Sequence, residues 1–344
     1  MAAQPPPPSP AFPPNAQSLS ISLPHKPSAA LSCTFIESTA SSTLVVFLNG
    51  LGLPQSHWWP CITHYLNHSA TTTPNHPAFL TYDRYGQGLT TDPDPQDSDT
   101  TLPEGHRHDI TSVTHDLHGL LEFITTKNHH PYSLAQTTLI LAANSIGCPI
   151  ARYYAQLYPG TVSGLLLLDS YMTDTTFVDL YPDPDAPQFD PSSLPEDVTV
   201  DDIRAARTGM GKLFHPKVVN KEGFWRGTIT SLLPHSYEPK LLAPLRPMDM
   251  NDEPQPGPYL TVIGHDWDLF AEESIRMPGM TRAVAMNYTN PAWGQYNDGL
   301  LKITTGDKSK GLIAKGAGHF VQRDRPDLVA EELARVVQLV KGNE

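Results

Sequence analysis

Short apolar runs alternate with amphipathic stretches through residues 42–170, and this alternation limits the fold more than any single motif does. "STLVVFLNG" (42–50), "AFLTYDRYGQG" (78–88), "TTLILAANS" (137–145) and "VSGLLLLDS" (162–170) each contain a continuous apolar run bounded by small or polar residues. A continuous run, unlike strict alternation, fits a strand buried on both faces. Between them, "DITSVTHDLHGLLEFITTK" (109–127) repeats Ile110, Val113, Leu117, Leu120, Leu121 and Ile124 at helical spacing, and "IGCPIARYYAQLYP" (146–159) reads as a second helix. Strands and helices in alternation make βαβ units. The expected fold class is α/β, with a mainly parallel central sheet covered by helices on both faces.

The rest of the chain is placed around that frame. Residues 1–28, with four consecutive prolines, are expected to be a disordered Pro-rich tail. Order is expected to begin near the alternating strand "LSCTFIES". The core would run over 29–170, followed by an insertion over 171–256 rich in Pro, Asp and short helical pieces. It would resume over 257–344 with the strand "PYLTVIGHD" (258–266), the strand and loop "KGLIAKGAGHF" (310–320) and the amphipathic helix "RPDLVAEELARVVQLVKG". With 344 residues, of which 39% are hydrophobic, a large core is within reach.

Composition excludes several classes. The formal net charge is −13 and no Lys/Arg cluster stands against it, which argues against nucleic acid or an anionic membrane as partner. Three cysteines without CxxC spacing fit neither a disulfide framework nor a zinc module. No apolar stretch is long enough to span a bilayer, and no secretory leader is recognisable at the N-terminus. A cytoplasmic location is the expectation. Of the fifteen histidines, His115 and His118 lie three apart on a polar helix face and read as solvated rather than metal-binding. No metal or organic cofactor is expected.

Chemistry concentrates at four places. Ala143-Asn144-Ser145-Ile146-Gly147 joins a strand to a helix and resembles G-x-S-x-G with Ala in the first glycine's place. Small residues are needed there because strand, turn and helix backbones approach closely. On these five residues alone, an activated serine and an ordinary helix-capping serine are equally good readings. "FLNGLGLPQSHWW" (47–59) ends a strand in Asn49-Gly50-Leu51-Gly52, "YDRYGQGLT" (82–90) follows the next strand, and "GAGHF" (316–320) follows the last.

Taken in order, these segments resemble the α/β-hydrolase superfamily over roughly residues 32–342. The resemblance implies a serine hydrolase with an inserted cap that cleaves an ester-like bond in a small acyl substrate, with an acyltransferase or C–C bond hydrolase, or a non-catalytic binding protein of the same fold, as the alternatives. Ser145 would be the nucleophile and His319 the general base. The backbone N–H groups of Leu51 and Ile146 would form the oxyanion hole, with Asn49 standing where the family usually has His. Asp83 and Arg84 would brace the loop without a catalytic step. The acid is open among three positions: Asp266 is favoured, because it lies nearest the end of the strand before the histidine loop, with Asp169 and Asp268 as alternatives. Trp58, Trp59, Phe224, Trp225 and Leu232 could line a pocket or pack the core. Cys148 reads as a packing residue, and His265 as either a neighbour of the acid or an ordinary loop histidine.

Overall fold

The computed structural model describes residues 10–38, 41–72, 75–96, 101–126, 129–233, 240–245 and 257–342. The chain opens with a hairpin, β1 (Gln17–Leu23) and β2 (Lys26–Ile36), followed by β3 (Thr43–Leu48), α1 (Trp59–Thr72), β4 (Ala78–Tyr82), a two-residue β5 (His108–Asp109) and α2 (Ile110–Thr126). Then come β6 (Thr138–Asn144), α3 (Gly147–Leu157) and β7 (Val162–Leu168). The segment between β7 and β9, expected as the insertion, carries α4 (Val200–Leu213), the short β8 (Phe224–Trp225) and α5 (Ile229–Leu232). After β9 (Tyr259–His265) stand α6 (Trp267–Ser274), α7 (Arg282–Val284) and α8 (Asn290–Leu300). The chain closes with β10 (Ser309–Ala314), α9 (Val321–Asp324) and α10 (Pro326–Lys341).

The main sheet runs β1-β2-β4-β3-β6-β7-β9-β10. Pairings from β4 through β10 are parallel, while β1–β2 and β2–β4 are antiparallel. The apolar runs are buried on both faces, and their two-residue period divides them between two cores. Leu44, Val46 and Leu48 of β3, with Leu139 and Leu141 of β6, enter the core under α2 and α3. Val45, Phe47, Ile140 and Ala142 enter the opposite core with Leu333, Val336 and Val337 of α10.

Two expectations are corrected. Residues 17–28 are not a tail: β1 and the start of β2 form a hairpin, because Ile21 and Leu23 alternate inward and cover α2. Residues 1–9 lie outside the described part. The stretch between β9 and β10, for which the sequence suggested no element, holds three helices. A π-turn at Ala285–Thr289 joins α7 to α8, and α4 of the inserted segment packs against α7. Of the expected insertion over 171–256, residues 234–239 and 246–256 lie outside the described part. Trp58 and Phe224 are wholly buried packing residues, and Phe224 pairs with His108 between β8 and β5. Among the described residues no helix is long and apolar enough to cross a membrane.

Candidate active site

Three strand ends converge. β6 runs into Ser145, which sits in the left-handed region at φ 54°, and the helix α3 starts two residues later. That turn leaves no room at Gly147, where an added Cβ would stand 2.4 Å from the Leu48 carbonyl oxygen. The demand for small residues at the elbow is therefore met by a close approach of β3 and α3. Ser145 does not cap α3: the cap position is Ile146, and it makes no side-chain capping bond. A non-glycine residue held left-handed costs about 1–3 kcal/mol, and surrounding bonds must hold it there. Here Ser145 N donates to Leu168 O, and Ser145 O accepts from Tyr171 N.

β7 ends in the same way at Asp169, also left-handed at φ 42° and wholly buried. Its Oδ2 lies 2.5 Å from His319 Nδ1. Its Oδ1 lies 2.7 Å from His265 Nδ1 and accepts the His265 backbone N–H. Burial would raise this carboxyl, but the His265 charge and the hydrogen bonds from both imidazoles outweigh it and hold it at about 2. With Nδ1–H committed to Asp169, His319 keeps a lone pair on Nε2, the arrangement a general base requires.

Asn144 fastens the three ends together. Its Nδ2 donates to Leu168 O and to His319 O, both at 3.0 Å, and its Oδ1 accepts from Gln322 at the start of α9. One buried amide thus ties β6, β7 and the histidine loop. Trp293 of α8 stands beside the His319 ring, with centroids 5.4 Å apart, and donates its indole N–H to Ser170 O.

The Asn49–Gly52 loop passes next to the elbow, since an added Cβ at Gly50 would lie 3.4 Å from Ser145 Cβ. Arg84 donates to Asn49 O and Gly50 O, and Gln87 and Leu53 N also donate to Gly50 O. In a trans peptide the carbonyl and the following N–H point in opposite directions. Holding the Gly50 carbonyl on Arg84 therefore turns the Leu51 N–H away from that cluster. Neither Leu51 N nor Ile146 N donates to an acceptor among the described residues. Asn49 has its own role: Nδ2 donates to Tyr82 O and Gln87, and Oδ1 accepts from Trp58. Asp83 receives Gln55 N, Gln55 Nε2 and Leu89 N, bracing the loop.

The carboxylate choice is corrected. Asp266 does not reach His319. It caps α6 by accepting Asp268 N, receives Gly316 N at 3.1 Å, and faces Lys315. Asp268 is mostly exposed and pairs with Arg282. The stretch Asp266-Trp267-Asp268, an Asp before an apolar helix with an acid in its first turn, carries a capping signature that could have signalled this. Two buried participants escaped the sequence reading. Glu222 of the inserted segment pairs with Arg84 at 2.9 Å and accepts Gln87 Nε2 and Gly52 N. Asn290 accepts from His265 Nε2 at 3.0 Å. Neither carries a local pattern, since each meets its partner only through the fold. Cys148 is buried behind the elbow, where burial pushes its thiol up, and His118 stacks on Tyr158 at 3.8 Å.

A mainly parallel sheet with a strained serine, a histidine loop and a buried acid at its strand ends defines an α/β-hydrolase architecture. Residues 45–332 match the family model described as the alpha/beta hydrolase family, and the chain belongs to that family. Among solved structures it is similar to a "putative lipase" from Acinetobacter baumannii, at 15% identity and a TM-score of 0.52, over 96% of this chain and 93% of that one. A thermophilic esterase from Thermogutta terrifontis matches at 15% identity and a TM-score of 0.47, over 94% and 99% of the two chains. Among curated proteins none matches the chain by sequence.

Proposed function

We propose that the protein is a serine hydrolase that cleaves an ester-like bond, with Ser145, His319 and Asp169 as its triad. The observation that carries this reading is the His319–Asp169 hydrogen bond set beside a serine held left-handed at a strand end. Ser145 Oγ attacks the carbonyl carbon as His319 Nε2 takes its proton. The Leu51 and Ile146 amides receive the oxyanion. The tetrahedral species collapses, the alcohol leaves with the proton from His319, and the acyl group stays on Ser145. Water, deprotonated by His319, attacks the acyl-enzyme, and the acid departs as Ser145 regains its proton.

Tyr171, Phe177 and Trp293 form a connected cluster of buried aromatic rings: Tyr171 lies 5.0 Å from Phe177, and Phe177 6.1 Å from Trp293, which stands beside His319. Apolar rings packed beside the histidine favour an uncharged, apolar acyl or alcohol group over a charged one. Phe177 belongs to the inserted segment, which on this reading acts as the cap over the site.

A fluorophosphonate probe tests the reading. Folded wild type should label, and Ser145→Ala with an unchanged circular dichroism spectrum should not. Labelling that survives in that variant, or is absent from folded wild type, would overturn it. A panel of p-nitrophenyl esters then reads the acyl preference, with apolar chains expected ahead of charged ones.

A further inference from the structure

His265 is buried at 2% exposure, and it meets Asp169 from the side opposite His319. Its hydrogen bonds specify its protonation. Asn290 Nδ2 donates to the Trp267 carbonyl at 3.0 Å, and turning the amide over would set two oxygens face to face there. Asn290 Oδ1 is thus the atom facing His265 Nε2, and an amide oxygen only accepts, so Nε2 carries a hydrogen. On the other side, Nδ1 faces a carboxylate oxygen, so it carries one too. An imidazole with hydrogens on both nitrogens is a cation.

The groups around it agree. Asp169 at the end of β7 and Asp266 next in the chain are acidic, and His319 lies across Asp169. From α6 comes Phe270, stacked at 4.1 Å, while Glu273 of the same helix is turned to Arg323. From α8 come Asn290 and the edge of Trp293. β10 sets Ala314 opposite His265, and Lys315 beyond it pairs with Asp266. Burial alone would push the imidazolium down, but Asp169 and its hydrogen bonds, with that to Asn290, outweigh burial and raise it.

We propose that His265 is a positioning residue charged at neutral pH, an imidazolium that occupies one oxygen of Asp169 and presents the other to His319 with its charge already partly neutralised. The inference rests on the triad reading above. It deepens that reading by predicting the pH range in which the site works. A proton arriving on His319 meets a carboxylate that already has a cationic partner, so it gains less attraction than it would from a lone Asp. The serine should therefore stay active to lower pH than it would beside an unpartnered carboxylate.

Two readouts on the full-length protein test this. The first is the ¹⁵N NMR signal of the histidine rings, assigned by loss of one signal in His265→Asn. Both nitrogens of His265 should be protonated at neutral pH, and a single neutral tautomer would overturn the proposal. The second is the pH dependence of fluorophosphonate labelling. His265→Asn keeps an N–H for Asp169 but removes the charge, and the acid limb should move upward by about one pH unit. A limb that stays put or moves downward would overturn the proposal. If that variant does not fold, Asn290→Leu removes the acceptor of the second proton and should move the limb in the same direction. A wild type that does not label would overturn the triad reading, while the ring spectrum still decides the charge on His265.

Discussion

Asp169 holds two imidazoles at once, and most of the testable chemistry follows from that. Replacing it with Asn leaves the shape but lets the amide donate where a carboxylate accepted, which favours the wrong tautomer of His319. The expected loss in kcat is about 10³–10⁴-fold, the scale seen when a buried triad aspartate becomes Asn. Asp266→Asn removes only a cap and a loop contact, so kcat should stay within a few-fold. A steady-state comparison with one p-nitrophenyl ester separates the two, and a larger loss at 266 would reverse the assignment. The ion pair also sets a stability window. Asp169 is held at about 2, below its ordinary value, so its contribution is present above the ordinary carboxylate range and is lost as pH falls toward 2. His265 is raised above its ordinary value, so its contribution is present at and below that value and is lost as pH rises through the raised one. Wild type should therefore be stabilised most between these limits. Thermal melts should show a flatter dependence of Tm on pH in His265→Asn, and coincident profiles would show that the pair is uncharged in the folded protein.

Among the elements, the strand-to-helix elbow is the most tightly specified. Gly147→Ala places a Cβ 2.4 Å from a backbone oxygen of β3, which no side-chain rotamer can relieve. The cost should be about 1–3 kcal/mol or more in urea unfolding, with slower labelling as Ser145 shifts. Gly316 offers a control. It has open space around it but φ 78°, so Ala there carries only the left-handed strain, about 1 kcal/mol. Equal effects at the two positions would contradict the close-packing account. This element was legible in sequence, because an apolar β-run, one serine and flanking small residues lie within ten positions. The hairpin of β1 and β2 was not. Its prolines and serines outweigh a weak alternation, and only docking against α2 rewards Ile21 and Leu23 for turning inward.

Across the whole molecule, Glu222 joins the inserted segment to the loop beside Ser145. It is 1% exposed and reaches Arg84, Gln87 and Gly52 N together. Glu222→Ala strands the Arg84 guanidinium without its anion, at a cost of about 3–5 kcal/mol. It also frees the Gly50–Leu51 peptide, so kcat should fall by at least tenfold while KM changes less. Chemical denaturation and steady-state kinetics on one preparation read both. Unchanged kcat in a destabilised protein would show that the pair serves stability alone.

What the sequence determined by itself is the fold class and the order of the strand-end loops that carry Ser145 and His319, because each depends on a periodicity or spacing within a short stretch. What the tertiary structure decided is which carboxylate meets the histidine. β7 and β9 are adjacent parallel strands, and each delivers an aspartate near its end. Only their register, and the capping of α6, sends Asp266 outward to Gly316 and leaves Asp169 facing His319 across 150 residues of chain. Glu222 and Asn290 were hidden for the same reason. A hydrogen bond between distant residues leaves no local trace until the backbone brings donor and acceptor within reach.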